Sequence, residues 1–527
     1  MKSEEEGMKW TGTPLIVSSL LLALFILSAP WHFAGREEGR LSIGLALFAL
    51  PLVLAAVFSA CFREAVLRVL RSDKPVSPRL LRALALACIA FCVWTTASKF
   101  LSFEVNAWDF SLYFDRPLER TLHGQILYSD FLGSSTLAAH SDLALLLFIP
   151  LYSIHASPWW LVIGQGAIVA AATMAAFRLF RNLTEDTFAS VTLAAAFLLN
   201  KYTAKCLQYV FHIETLYLLS LFLLLLALKE KRPFLFSSAL LLTMAIKQDA
   251  VIPLFGITII ALLLRRFRYA AAACFGGLTG FLLDYFVLMP HFAANAAHPW
   301  YSWYWASFGP TPLRAALGII GKPMLVITKL SHSAVGNLLG SVLLLPLVGF
   351  EWLAAALPGL ILYGCSDFEK LAHLDLYYSA AVLPLLFASA AVGICRVADR
   401  AQVEQRRFRL RVLSIVFLIW SHVYGSGYHF AAWRSDGRAL SEIRNSVPAG
   451  AEVRIQGALF PHAGYDPRWR VLERTPPGLG EAVMLDEALN PYPLSRAEMA
   501  SLIRKLRLDP SYTEVRREEI ALFIPRR

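Results

Sequence analysis

Four ionisable residues fall within eleven positions of the stretch NAWDFSLYFDRPLE (residues 106–119): Asp109, Asp115, Arg116 and Glu119, interleaved with Trp108, Phe110, Tyr113 and Phe114. A carboxylate partly shielded by aromatic rings is a better proton acceptor than a free surface acid. Asp109, placed just after an apolar run and between Trp108 and Phe110, is the first candidate for a general base, with Asp115 and Glu119 behind it. A plain helix-capping role is the alternative for Asp109.

More groups able to do chemistry follow. His140 and Asp142 close the same segment, and KYTAKCLQYVFHIETLY carries Lys201, Lys205, His212 and Glu214. IKQDAVIP carries Lys247 and Asp249, and Asp284 lies late in an apolar run. Trp300, Tyr301, Trp303, Tyr304 and Trp305 crowd one short stretch, and Asp367, Glu369, Lys370, His373, Asp375, Tyr377 and Tyr378 another. Each has a plainer reading: the aromatics as an interfacial belt, Lys247 as a snorkelling lysine beside a capping acid, His140 and His212 as packing histidines.

The elements that must position these groups are membrane helices. The chain is 57% hydrophobic and 17% charged, with a mean hydropathy of +0.54, where a soluble chain carries about a quarter charged residues. Apolar runs recur from residue 13 to 424, many matched to a hydrocarbon core about 30 Å thick. The first, about 13–33, follows a mostly acidic start and reads as a retained helix, not a cleaved signal. The positive-inside rule places the basic loop from Arg63 to Arg82 in the cytoplasm, and the clusters at 178–181, 229–232, 265–268 and 396–411 on the same side. Spans are then expected near 13–33, 42–62, 82–103, 159–180, 187–201, 213–229, 234–247, 250–264, 269–289, 335–348, 351–365, 378–396 and 411–424, about 13 in all. Segment 141–157 is read as a surface or re-entrant helix, because a full crossing would invert every later arginine cluster. On this reading the polar residues gather on the outer face. Ionisable groups near bilayer depth are costly and face a protein interior or a wet cavity.

The character changes after Tyr424. SEIRNSVPAGAEVRIQG reads as helix, turn and strand; EAVMLDE as a strand; SRAEMASLIRKLRL as a helix starting at Ser495; and EEIALFIP as a last strand. The fold class expected is therefore a mainly α-helical polytopic membrane protein with a small C-terminal α/β domain. Its parts are N-terminal helices (1–103), a first outer loop with the acidic motif (104–141), a transmembrane core (142–424) and an extracytoplasmic domain (425–527). The net charge of +11 sits largely in the cytoplasmic loops, where anionic lipid attracts it, and calls for no nucleic acid. The seven cysteines show no metal-type spacing, and the chain holds no GxxxxGK[ST], GxGxxG or HExxH motif.

In order along the chain, WDFSLYFDRPLERTLHGQILYSDF, AAHSDLALLLFIPLYSI, VFHIETLY, IKQDA, YWASFGPTP and YYSAAVLPLL resemble the segments of a family of predicted membrane proteins, domain of unknown function 2079. The matching positions are Asp109, Gly124, Tyr128, His140 and Pro150. Ile213 stands where that family has a proline and Gln248 where it has a glutamate. The resemblance covers about residues 100–527.

That family resembles a branch of the GT-C membrane glycosyltransferases. The resemblance implies an acid in the first large outer loop, a polyprenyl-phosphate sugar donor and inversion at the anomeric carbon. The acceptor would be a glycan, a lipid or a protein, and the location the inner (plasma) membrane, with a cytoplasmic N-terminus. Such chemistry needs a base for the acceptor hydroxyl, cations for the departing phosphate and a groove open to membrane lipid. Asp109 is the expected base, with Asp115 or Glu119 as second choices. Lys247, with His212 or Lys201, is expected to hold the phosphate. Tyr301, Trp303 and Tyr304 are expected to stack on sugar. His140, Glu214, Asp249 and Tyr377 complete the expected substrate-binding set. The loop lacks an Asp-x-Asp pair, so no cofactor is assigned and a divalent ion (Mg or Mn) is left open. A lipid or solute transporter or flippase, and a non-catalytic assembly or sensor protein, are the rival readings.

Overall fold

The computed structural model describes residues 60–72, 76–105, 107–293, 303–400, 403–425, 427–430, 433–434, 437–475, 478 and 480–526. The expected spans at 13–33 and, for the most part, 42–62 lie outside these residues. The architecture is mainly helical, with a small mixed sheet at the C-terminus.

The helix Pro78–Leu101 starts where Ser77 caps the Leu80 amide at 3.2 Å and Pro78 takes the first helical position, where its missing N–H costs nothing. It packs along Trp159–Thr184. Contact is close because Gly166 faces the Val93 backbone, where an added Cβ would stand 2.7 Å from its Cα; small residues let membrane helices approach this way. Trp159–Thr184 also packs on Thr187–Leu199 and Leu216–Glu230, and Val251–Leu263 on Phe267–Leu283 and Phe350–Gly364.

Among the described residues, three helices are long and apolar enough to cross a membrane: Pro78–Leu101, Trp159–Thr184 and Phe267–Phe292. Shorter apolar helices are Leu143–Ile154, Thr187–Leu199, Pro233–Met244, Gln248–Leu263 and Phe350–Gly364. At about 1.5 Å per residue, Leu143–Ile154 is too short to cross the core. The expected span at 335–348 is not one helix. Val335–Ser341 stops, Leu343 and Leu344 take left-handed backbone (φ 55° and 54°), and Pro346 sits in a following 3-10 turn. Proline disfavours helical geometry in the residue before it and offers no N–H.

One end of the bundle is tied by arginines. Arg411 donates to Asp186 Oδ2 at 2.8 and 3.0 Å and to the carbonyls of Val69, Leu70 and Ser72. Asp186 also caps the Ala189 amide at 2.8 Å, starting Thr187–Leu199. That helix ends at Asn200, whose side chain caps the Tyr202 amide at 3.0 Å to start Lys201–Gln208.

The C-terminal sheet has the strand order Trp469–Val471, Val453–Ile455, Ala482–Asp486, Ile520–Pro525, Tyr512–Arg517, parallel across the first three and antiparallel across the last two pairings. Period-two alternation splits its side chains between two cores. Ala482, Met484, Ile520 and Leu522 face the helix Gly437–Asn445 together with Phe103, Ala107 and Leu112 of the membrane part. Val483, Leu485, Ala521 and Phe523 face Arg496–Leu508, which begins at a Ser495–Glu498 capping box. One face of the sheet therefore rests on the segment that carries the acidic motif.

Candidate active site

Asp109 ends the short helix Ala107–Asp109, which runs on through a π-helix, Phe110–Asp115, into Arg116–Leu122. A π turn is rare and recurs at functional sites. The segment is pinned by Ser129 Oγ, which donates to the Leu112 carbonyl at 2.7 Å, and by Phe110 against Phe100. Asp109 is half-buried and accepts a hydrogen bond from the Tyr209 hydroxyl.

Tyr209 opens a polar turn whose shape is set from within the bundle. Buried Gln165, on Trp159–Thr184, donates to the Cys206 carbonyl (2.7 Å) and Thr215 Oγ1 (2.9 Å) and accepts from the His212 amide (3.4 Å). Val210 within this turn has φ 67°, strained for a β-branched residue. The turn presents His212, whose ring stacks on Tyr377 at 3.4 Å, with Phe114 edge-on at 5.0 Å. Glu214 sits between two side chains: it pairs with His212 Nδ1 and accepts from Lys247 Nζ at 2.5 Å. His212, Glu214 and Lys247 are 7%, 6% and 8% exposed.

Lys247 sits at a hairpin tip in extended backbone (φ −169°, ψ 156°). The tip is tied down by Ala144 N–H to the Ala245 carbonyl (2.7 Å) and Ser141 N–H to Gln248 Oε1 (3.3 Å). Gln248 also faces His140 Nδ1 at 3.3 Å, and Asp249 accepts from Tyr217 OH at 2.6 Å. An aromatic wall closes the cluster. Tyr304 stacks on Phe368 (5.0 Å), Tyr378 meets Phe368 edge-on (6.1 Å), and Tyr377 lies 4.5 Å from Tyr378 and 5.3 Å from Tyr209. The Tyr113 hydroxyl is pushed up to about 12, first by burial and then by the charges of Asp109 and Asp142, against which Lys247 acts. It therefore lies within electrostatic reach of both the acid and the lysine.

The structure thus brings together Asp109, His212, Glu214, Lys247, Tyr304 and Tyr377, with His140 and Asp249 joined through the 247–249 tip. The other expected residues sit elsewhere. Glu119 pairs with His123 at 3.0 Å. Lys201 lies over the Tyr202 ring and beneath Gly425 and Gly427. Trp303 is 45% exposed at the edge of the wall, beside Tyr304 and Phe368, and Tyr301 lies outside the described residues. Asp115 is turned to a different node, where its Oδ1 accepts from Tyr152 OH and Tyr465 OH, both at 2.7 Å.

Residues 99–436 match the model of a family described as "Predicted membrane protein (DUF2079)". The chain belongs to the DUF2079 family. No curated protein matches it. Among solved structures, ArnT from Cupriavidus metallidurans bound to undecaprenyl phosphate is similar to this chain with a TM-score of 0.46 and 10% identity, over 85% of this chain and 98% of that one.

In this DUF2079 protein, Tyr209, Phe368 and Gln165 are not marked out by the sequence, and Tyr113 and Tyr378 are named there without an assigned role. The one local signal for Tyr209 was its place three residues before His212. Among the described residues no three acids, histidines or cysteines gather as a metal-ligating set.

Burial raises the Asp115 carboxyl to about 6, against the lowering effects of Tyr152, Tyr465 and Arg116, while Glu119 pushes it up further. A raised carboxyl stabilises the fold fully below its unfolded value of 3.8, and that contribution is lost as pH rises through about 6. Relative to an Asp115→Asn variant, the wild type is expected to gain about 1–2 kcal/mol of unfolding free energy between roughly pH 7.5 and pH 5. Denaturant melts of the two proteins in one detergent check this; parallel pH profiles would contradict it.

Proposed function

We propose that this DUF2079 protein is an inverting, GT-C-type membrane glycosyltransferase, moving a sugar from a polyprenyl-phosphate donor to an acceptor hydroxyl on the outer face of the membrane. The observation that carries the reading is the meeting of a half-buried carboxylate, Asp109 with Tyr209 on one of its oxygens, and a buried Lys247–Glu214–His212 cluster across the Tyr209–Tyr377 ring contact. Asp109 takes the acceptor proton as the glycosidic oxygen forms its new bond. Lys247 and His212 face the phosphate as it departs with the electron pair of the broken bond. Tyr304, Tyr377 and Tyr378 offer ring faces to the sugar. The 107–142 segment, the 209–215 turn and the 245–249 tip lie in the extracytoplasmic half, with the N-terminus cytoplasmic and 425–527 outside as a domain against the acid segment.

The test is direct. The protein in lipid nanodiscs is incubated with a panel of radiolabelled polyprenyl-phosphate sugars, and release of polyprenyl phosphate is followed. Release of one lipid phosphate per sugar transferred or hydrolysed is expected from at least one donor. Binding with no release, together with movement of intact donor across proteoliposomes, would instead establish the flippase reading; neither binding nor release would remove the transferase reading.

A further inference from the structure

The residue following Asp115 has no part in the cluster above, yet it is among the most completely held side chains in the chain. Arg116 is 7% exposed. Its Nη2 donates to the Gly464 carbonyl at 2.9 Å, and its Nη1 to the carbonyls of Trp469 (3.2 Å) and Asp466 (3.3 Å). The guanidinium lies over the Phe460 ring at 4.1 Å. All four partners belong to residues 460–469 of the C-terminal domain. A planar fork with five donors suits such a set of carbonyls, and an ammonium does not. Asp115 is held by Tyr465 of the same loop, and His462 packs between Phe100 and Phe103 at 4.1 Å from each ring. Burial lowers His462 to about 3, so it is a neutral ring in this contact.

Asp109 and Arg116 belong to one unbroken helical run from Ala107 to Leu122. A displacement at 115–116 is therefore passed along the run to Asp109. We infer that the C-terminal domain is a positioning element for Asp109, and that Arg116 is the positioning residue that locks the acid-bearing helix to it. The part of this inference that concerns turnover rests on the transferase reading; the part that concerns the helix does not.

The experiment uses the full chain in nanodiscs as wild type, Arg116→Ala, Arg116→Lys and Tyr465→Phe. Amide hydrogen exchange over 107–116 is measured alongside kcat, donor Kd and donor-binding stoichiometry, with the polyprenyl-phosphate sugar that the wild type turns over. Arg116→Ala is expected to exchange faster over 107–116 and to lose about 100-fold in kcat, as a misplacement of about 1 Å does. Its donor Kd and stoichiometry should stay within about twofold. Arg116→Lys keeps the charge without the fork and is expected to fall between the two. A general loss of fold would show as stoichiometry falling in step with activity. Unchanged exchange over 107–116 in a folded Arg116→Ala protein would overturn the inference. If that variant does not fold, Tyr465→Phe decides, since it removes one hydroxyl without changing the packing shape: faster exchange over 107–116 supports the lock, and unchanged exchange overturns it. If the wild type turns over no donor, the transferase reading fails while the exchange comparison still judges the lock.

Discussion

Replacing Asp109 by Asn is expected to lower sugar transfer by about 10²–10⁴-fold while leaving donor affinity within about twofold of wild type. The substitution is close to isosteric, and the amide oxygen can still accept the hydrogen bond that Tyr209 OH gives to Asp109. What is lost is the capacity to take a proton. Two controls separate that loss from a general effect of acid removal in the same segment. Glu119→Gln breaks a partly exposed pair with His123, an interaction worth about 0–1 kcal/mol, and should leave turnover near wild type. Asp115→Asn acts at the Tyr152–Tyr465 node and should change the pH profile of stability more than the chemical step. Tyr209→Phe would free one Asp109 oxygen and is expected to weaken activity less than Asp109→Asn. The assay is single-turnover release of polyprenyl phosphate, with donor binding measured on the same sample. If Asp109→Asn turned over within about threefold of wild type, Asp109 would not be the base.

The three acids of that segment look alike in sequence, and local reasoning ranked them only by their neighbours. What separates them is long-range. Asp109 meets Tyr209, Asp115 meets Tyr465 and Glu119 meets His123; the first two partners are 100 and 350 residues away. Elements governed by short-range rules were legible. The Ser495–Glu498 capping box marks the start of Arg496–Leu508, and the short apolar runs that follow acids in EAVMLDE and EEIALFIP mark Ala482–Asp486 and Ile520–Pro525. The three-residue strand Trp469–Val471 is too brief to show a period, and its parallel pairing to Val453–Ile455 comes from the fold. Lys247 is the first expected phosphate partner, with His212 or Lys201 beside it. Lys247 sits in extended backbone at the hairpin tip against Glu214, while Lys201 lies over the Tyr202 ring, and neither setting can be read from composition. Tyr377 is expected in the substrate-binding set and stacks on His212, whereas Tyr209 has no expected role in the sequence and gains one from its hydrogen bond to Asp109.

The second large effect is expected at the Glu214–Lys247 pair, and it comes in two parts with different signatures. The two side chains meet at 2.5 Å with 8% and 10% side-chain exposure. Removing one partner of a buried pair leaves the other charge uncompensated and costs about 3–5 kcal/mol. Glu214→Gln and Lys247→Met should therefore each lower the denaturation midpoint clearly. Glu214 also pairs with His212, so Glu214→Gln should loosen the His212–Tyr377 stack as well and be the more costly of the two. The double variant removes both charges and should be less destabilised than either single variant, which requires a coupling free energy larger than about 3 kcal/mol in the cycle. Donor binding should behave differently. If Lys247 holds the departing phosphate, Lys247→Met loses a charge-assisted contact worth about 1.5–3 kcal/mol, or roughly 10- to 150-fold in donor Kd. The double variant should remain as weak, although its fold is restored. Glu214→Gln removes the anion that competes with phosphate for Lys247, so once corrected for the folded fraction it should bind donor no more weakly than wild type. Recovery of donor affinity together with stability in the double variant would make the pair purely structural and would leave the phosphate to another cation.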